Sequence, residues 1–158
     1  MPDPTEDLAA LVEGSAFYRW SGMRVVASEP GAVTLALDLG EQHTNLQGFA
    51  HGGVLATIAD AAMGLSVRSG LGPGRRHVTV ELSIHYLRPA TRGTLHAAGR
   101  AVRIGREIAY AEAVVTDDRG TDVARASGTY SVTAPRPSRP RPASPSCRRA
   151  CRAPRRGP

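Results

Sequence analysis

GEQHTNLQGFAHGGVLATIADAAMGLSVRS, residues 40–69, decides the fold. Residues 40–53 are loop chemistry, rich in Gly, Asn, Gln and His, and residues 54–69 are apolar on nearly every side. A segment of that length with no polar face reads as a buried helix. Its small residues, Ala56, Ala59, Ala61, Ala62 and Gly64, let neighbouring backbone come close, and the glycines between 70 and 74 end it.

On the N-terminal side, residues 5–16 read as a short helix that Thr5 or Asp3 can cap, with Leu8, Leu11 and Val12 on one face. Two strands, Met23–Ser28 and Ala32–Leu39, flank the Glu29-Pro30-Gly31 turn, and Val33, Leu35, Leu37 and Leu39 recur with period two. On the C-terminal side everything is β. Val78, Val80, Leu82, Ile84 and Tyr86 alternate with Thr79, Glu81, Ser83, His85 and Leu87, and further strands fit 94–104, 107–116 and 121–133. The order ββαββββ predicts an α+β domain in which an antiparallel sheet of about six strands curls around one central helix. A helix apolar all round needs more cover than one sheet face provides, so a second subunit is expected, in a homodimer or homotetramer.

At 158 residues the chain has room for one domain with a substantial core. The expected organisation is an N-terminal helix and lead-in over 1–19, the domain over 20–134 and a tail over 135–158. The net charge of +6 belongs to that tail, which holds eight arginines and no acid; the first 134 residues carry 12 basic against 14 acidic groups, net −2. The tail is almost wholly Pro, Arg, Ala and Ser, too poor in apolar surface to offset its ordering entropy, and reads as a disordered, solvated extension. Nucleic-acid binding through it would be strongly salt-dependent and lost on its removal.

Several chemistries are excluded. Both cysteines, Cys147 and Cys151, lie in the tail, so the body has no thiol nucleophile, disulfide or Cys-based metal site. The chain has no lysine, which removes a Walker-type phosphate loop and a Schiff-base site, and no Gly-x-Ser-x-Gly elbow for a serine hydrolase. GLGPG at 70–74 follows a helix where a dinucleotide loop must follow a strand. A metal site joining His43, His51 and Asp60 matches no familiar ligand spacing. An acidic N-terminus without signal-peptide character and the absence of a membrane-length apolar run make the cytoplasm the expected location.

The residues that can carry chemistry sit where loop becomes helix. Gly52 and Gly53 open the helix, where free N–H groups and the positive end of the dipole suit a developing oxyanion, and the lack of side chains permits close approach of a reacting carbonyl. Asp60 lies about two turns further on among Ile58, Ala59, Ala61, Ala62 and Met63, where an uncompensated carboxylate would be costly. Asn45 offers an amide to hold water or a carbonyl, and can equally be a turn residue; His51 can orient the loop or transfer protons.

His43-x-Asn45-x-x-Gly48-x-x-His51-Gly52-Gly53, with Asp60 eight residues after Gly52, resembles the phenylacetate-pathway (PaaI) and 4-hydroxybenzoyl-CoA thioesterase type of hotdog fold. The segment VTVELSIHYLRPA, 78–90, looks like that family's strand after the helix, and the likeness covers about 20–133. It implies an acyl-CoA thioesterase acting on an aryl or short- to medium-chain acyl group, with no cofactor beyond the coenzyme A of the substrate. It further implies that the Gly52 amide polarises the carbonyl, that Asn45 holds the reactants, and that Asp60 reaches this site from the partner chain as general base or nucleophile. His51 would shape the oxyanion loop, and Gly53, Val54 and Arg88 would contact substrate. Thr79 matches a hydroxyl position that orients the water, but strand alternation sets it opposite Val78 and Val80, so it faces the helix only if those valines face elsewhere, for example a subunit contact.

With lysine absent, the coenzyme phosphates would fall to arginines such as Arg75, Arg76, Arg88, Arg103 or Arg106. A non-catalytic acyl-CoA-binding or regulatory protein is the alternative, which Asp60 argues against because a sensor needs no base. Hydration or dehydration on the same fold would need a His paired with Asp60, and the helix supplies none.

Overall fold

The computed structural model describes residues 4–133. The segment 135–158 with both cysteines lies outside them, as do the side chains expected to cap the first helix. The elements run α1 (Pro4–Gly14), α2 (Ala16–Ser21), β1 (Met23–Glu29), β2 (Ala32–Asp38), α3 (Gly52–Gly70), β3 (Arg76–Tyr86), β4 (Thr94–Ile104), β5 (Ile108–Thr116) and β6 (Asp122–Thr133). All strand pairings are antiparallel, in the order β1-β2-β4-β5-β6-β3. The sheet wraps α3 as the hotdog fold requires, and β3, the strand next in sequence, lies at an edge beside β6.

The N-terminal expectation needs correction. The single helix over 5–16 is two helices broken at Ser15, and the second, AFYRWS, was not anticipated. Six residues are too few to show helical periodicity, and Gly22, at φ 74°, ends α2 in the left-handed region that glycine tolerates. Leu8 and Val12 are buried as expected, whereas Leu11 is exposed.

The core is where α3 meets the inner face of the sheet. Leu35, Ile58, Met63, Val67, Leu95, Val115 and Tyr130 are fully buried, each worth about 1.5–3 kcal/mol in burial for those that are aliphatic. α3 packs chiefly on β4, then on β2 and β5. Close packing onto β4 depends on Gly99, where a Cβ would come within 2.4 Å of the Ala62 carbonyl. Buried Ser66 ties α3 to β2, its Oγ donating to the Ala62 carbonyl (2.7 Å) and accepting from the Val33 N–H (3.0 Å).

On β3 the register slips between Thr79 and Glu81, leaving Val80 as the extra residue of a bulge. Its extra residue reverses the parity of the strand. Before it, Thr79 faces α3 while Val78 and Val80 are 66% and 63% exposed; after it, Leu82 and Ile84 pack on the core. The alternation read from the sequence treats 78–86 as one phase, and the bulge is why Thr79 and Leu82 can both point inward.

Candidate functional site

The start of α3 is built by a loop that closes on itself. His43 is buried, with Nδ1 accepting the Gly40 N–H (3.0 Å), so its Nε2–H donates to the Ser21 carbonyl (3.1 Å). Both ring nitrogens are thus committed to holding the loop against the end of α2. The Asn45 side-chain carbonyl accepts from the N–H groups of Gln47 (2.9 Å) and Phe49 (3.2 Å), which fixes the turn and leaves its NH2 without an acceptor among the described residues. A bridge between Thr44 and Ala50, and the His51 N–H donating to the His43 carbonyl (2.9 Å), bring this turn alongside the first residue of α3.

His51 is the N-cap of α3. Its Nδ1 accepts the Gly53 N–H (2.9 Å) and its carbonyl the Val54 N–H (2.9 Å). Among the described residues the Gly52 N–H has no acceptor, so the amide at the positive end of the helix is the one left to bind an oxygen. A Cβ at Gly52 would lie 3.3 Å from the tip of the Tyr86 ring, whose hydroxyl donates to the Gly52 carbonyl (3.0 Å), so a larger residue there would have to displace Tyr86.

Asp60 forms a second cluster. Its Oδ1 accepts from Thr79 Oγ1 (3.1 Å) and Tyr130 Oη (3.0 Å), residues directly paired across β3 and β6, and Oδ2 has no partner among the described residues. A small cavity beside it is lined by Tyr18, Gly64, Arg68, His77 and Thr79. Burial, then the charge of Asp60, raise the Tyr18 phenol above its ordinary range, and the same causes with the Asp60 hydrogen bond push Tyr130 further. Burial, then the Arg68 charge, lower His77. All three stay neutral near pH 7, leaving Arg68 as the nearby cation.

The two clusters share one helix but do not meet. Gly52 and Asp60 are eight residues apart, about 12 Å along the axis. The predicted site residues therefore fall into one group of Asn45, His51, Gly52 and Gly53 and another of Asp60 and Thr79. Gly53 and Val54 line an apolar cleft of about 380 Å³ with Phe17, Trp20, Met23 and Leu37. Arg88 donates to the Asp122 carbonyl (3.2 Å), and Arg75 to the Gly105 carbonyl (3.1 Å), so neither guanidinium is wholly free for a phosphate. Sequence reasoning missed Tyr86, Tyr130, His77, Tyr18 and the cleft-lining Trp20. Their positions follow from strand register and from the unforeseen α2, so no local motif marks them.

The thioesterase superfamily model matches residues 47–124. A Halobacterium salinarum protein provisionally named an esterase is 37% identical over 142 residues, 80% of this chain and 93% of its own length. Human acyl-coenzyme A thioesterase 13 is 29% identical over 116 residues, 71% of this chain and 81% of its own. Among solved structures, the Escherichia coli PaaI protein of the phenylacetic acid degradation operon superposes with a TM-score of 0.77 at 22% identity, covering 84% of this chain and 94% of that one. With a six-stranded antiparallel sheet around a helix that opens on His51-Gly52-Gly53 and carries Asp60, the chain belongs to the thioesterase superfamily of hotdog proteins.

Proposed function

We propose that this thioester hydrolase cleaves aryl- or short- to medium-chain acyl-CoA, in the manner of PaaI-type hotdog enzymes, at sites shared between two chains of a homodimer or homotetramer. The observation that carries the reading is the separation on α3 of an unoccupied N-terminal amide, Gly52, from a carboxylate with one free oxygen, Asp60. Each is half of a hydrolytic site, and antiparallel apposition of two such helices puts the Asp60 of one beside the Gly52 of the other. The edge strand β3, with an unpaired flank and Val78 and Val80 exposed, is the surface that a second copy would cover.

In the reaction, the thioester oxygen accepts from Gly52 N–H while the free Asn45 amide holds the reactants. Asp60 Oδ2 of the partner takes a proton from water as the water oxygen bonds to the acyl carbon, and the oxyanion is held at the helix start. Collapse re-forms the carbonyl and breaks the C–S bond, the thiolate taking the proton from Asp60. The products are the free acid and coenzyme A thiol, and no metal or redox cofactor enters. His51 sets the loop by capping α3, Thr79 acts on the carboxylate side, and the cleft at Gly53 and Val54 takes the acyl group. Its apolar lining of Phe17, Trp20, Met23 and Leu37 suits an apolar acyl group. Arg88, two residues after Tyr86 in the chain, is proposed for the coenzyme, and the cytoplasm is proposed as the location. Among the described residues no helix is long and apolar enough to cross a membrane.

Release of coenzyme A thiol from a panel of aryl- and alkyl-CoA esters tests the reading. Wild type should turn over at least one ester, and Asp60→Ala should lose at least about a hundredfold in kcat while staying folded and oligomeric. Binding without turnover across the panel would replace hydrolysis by an acyl-CoA-binding role.

A further inference from the structure

Tyr130 is the largest fully buried side chain of the described residues and lies on the inward face of β6. A glycine in the interior of β6 makes room for it: a Cβ on Gly128, two residues back on the same face, would come 3.1 Å from the ring. Glycine in the middle of a strand carries a conformational cost, which here is explained by the phenol beside it. On the other edge, a Cβ on Gly64 of α3 would sit in ordinary contact, 3.7 Å away, so α3 packs closely there. His77 packs edge-on against the ring, centroids 5.7 Å apart at 66°. The ring is therefore fixed on several sides, and its hydroxyl emerges at Asp60.

We infer that Tyr130 is a positioning residue: its hydroxyl, together with that of Thr79 opposite it on β3, pins Asp60 Oδ1 and thereby aims Oδ2 at the reacting water. This rests on the hydrolytic reading above. Two donors converging on one oxygen remove the rotation about the carboxylate axis that would otherwise exchange the two oxygens. The phenol does this because it stays protonated, held so by burial and by the carboxylate charge. Thr79 alone is mounted at a bulged edge strand, and Tyr130 is the donor anchored in the core.

Tyr130→Phe keeps the ring and removes only the donor. With the ester that wild type hydrolyses best, kcat should fall roughly ten- to a hundredfold, the worth of a hydrogen bond to a charged group, while KM stays within about twofold. In an Asp60→Asn background the same substitution should have an effect of less than about twofold, since there is no longer a carboxylate to aim. A Tyr130→Phe enzyme with wild-type kcat, or one equally impaired in both backgrounds, overturns the inference while leaving hydrolysis itself intact; absence of turnover by wild type overturns the hydrolytic reading instead. Should Tyr130→Phe fail to fold, ¹³Cζ-tyrosine NMR decides. The Tyr130 resonance must shift in Asp60→Asn and stay in place in Gly72→Ala, a substitution in open space away from the site, and an unmoved signal in the former overturns the contact.

Discussion

An alanine at position 52 would set its Cβ 3.3 Å from Cζ and Oη of Tyr86, tighter than an ordinary contact. Tyr86 is about half exposed and can swing away, so the fold should survive, but its bond to the Gly52 carbonyl would break and the first peptide of α3 would tilt. Misaligning an oxyanion donor costs up to about 10²–10³ in rate, so Gly52→Ala should lower kcat/KM at least about tenfold with an unchanged circular dichroism spectrum. If Tyr86 is the reason, Gly52→Ala/Tyr86→Ala recovers part of the loss in the same assay. At this scale the sequence was informative wherever function depends on neighbours in the chain. Gly52 and Gly53 read as a helix start because the change from loop to apolar helix is local, and Asp60 stood out as a carboxylate among alanines, whereas the capping of α3 by His51 came only from the structure. Tyr86 and Tyr130 could not be read, because they reach Gly52 and Asp60 across 34 and 70 residues of chain and look, locally, like ordinary strand tyrosines.

The elements were legible where periodicity is long. α3 and the six strands fall within a few residues of their expected bounds, because burial on one face imposes period two or 3.6 over many residues. α2 was missed for its brevity, and the β3 bulge because one unpaired residue leaves no compositional mark. The contact between α3 and β4 is a further feature that sequence only hinted at through small residues. Gly99 allows it, and a Cβ there would fall 2.4 Å from Ala62 C and O and 2.8 Å from Met63 N, backbone atoms that cannot rotate aside. Gly99→Ala should therefore displace α3 at a cost of about 1–3 kcal/mol, measured as a lower midpoint in urea, and should lower kcat as well, because the same helix carries Gly52 and Asp60. Gly72→Ala, in open space with ordinary backbone geometry, is the control and should stay within about 0.5 kcal/mol of wild type. Equal stability of the two variants would mean that the helix has slack the packing does not show.

On the scale of the whole molecule, the proposed site, with Gly52 and Asp60 supplied by different chains, turns assembly into something activity can report. An Asp60→Ala chain retains Asn45 and Gly52, while an Asn45→Ala chain retains Asp60. If the site is shared across a two-fold interface, a dimer of one with the other has one site lacking both groups and one with both intact. Unfolding and refolding the two variants together at equal concentration makes about half of the dimers mixed, and each mixed dimer has one working site of two, so about a quarter of wild-type activity should return from two nearly inactive proteins. Mixing without unfolding should restore activity only as fast as subunits exchange. Substituting Val78 and Val80 by aspartate should abolish the recovery by placing like charges on the edge strand proposed as the interface, and size-exclusion chromatography should then show monomers. A refolded mixture that is oligomeric yet no more active than its components would show that Asp60 acts within its own chain. The 12 Å between Gly52 and Asp60 would then have to be bridged by a movement of α3 rather than by a partner.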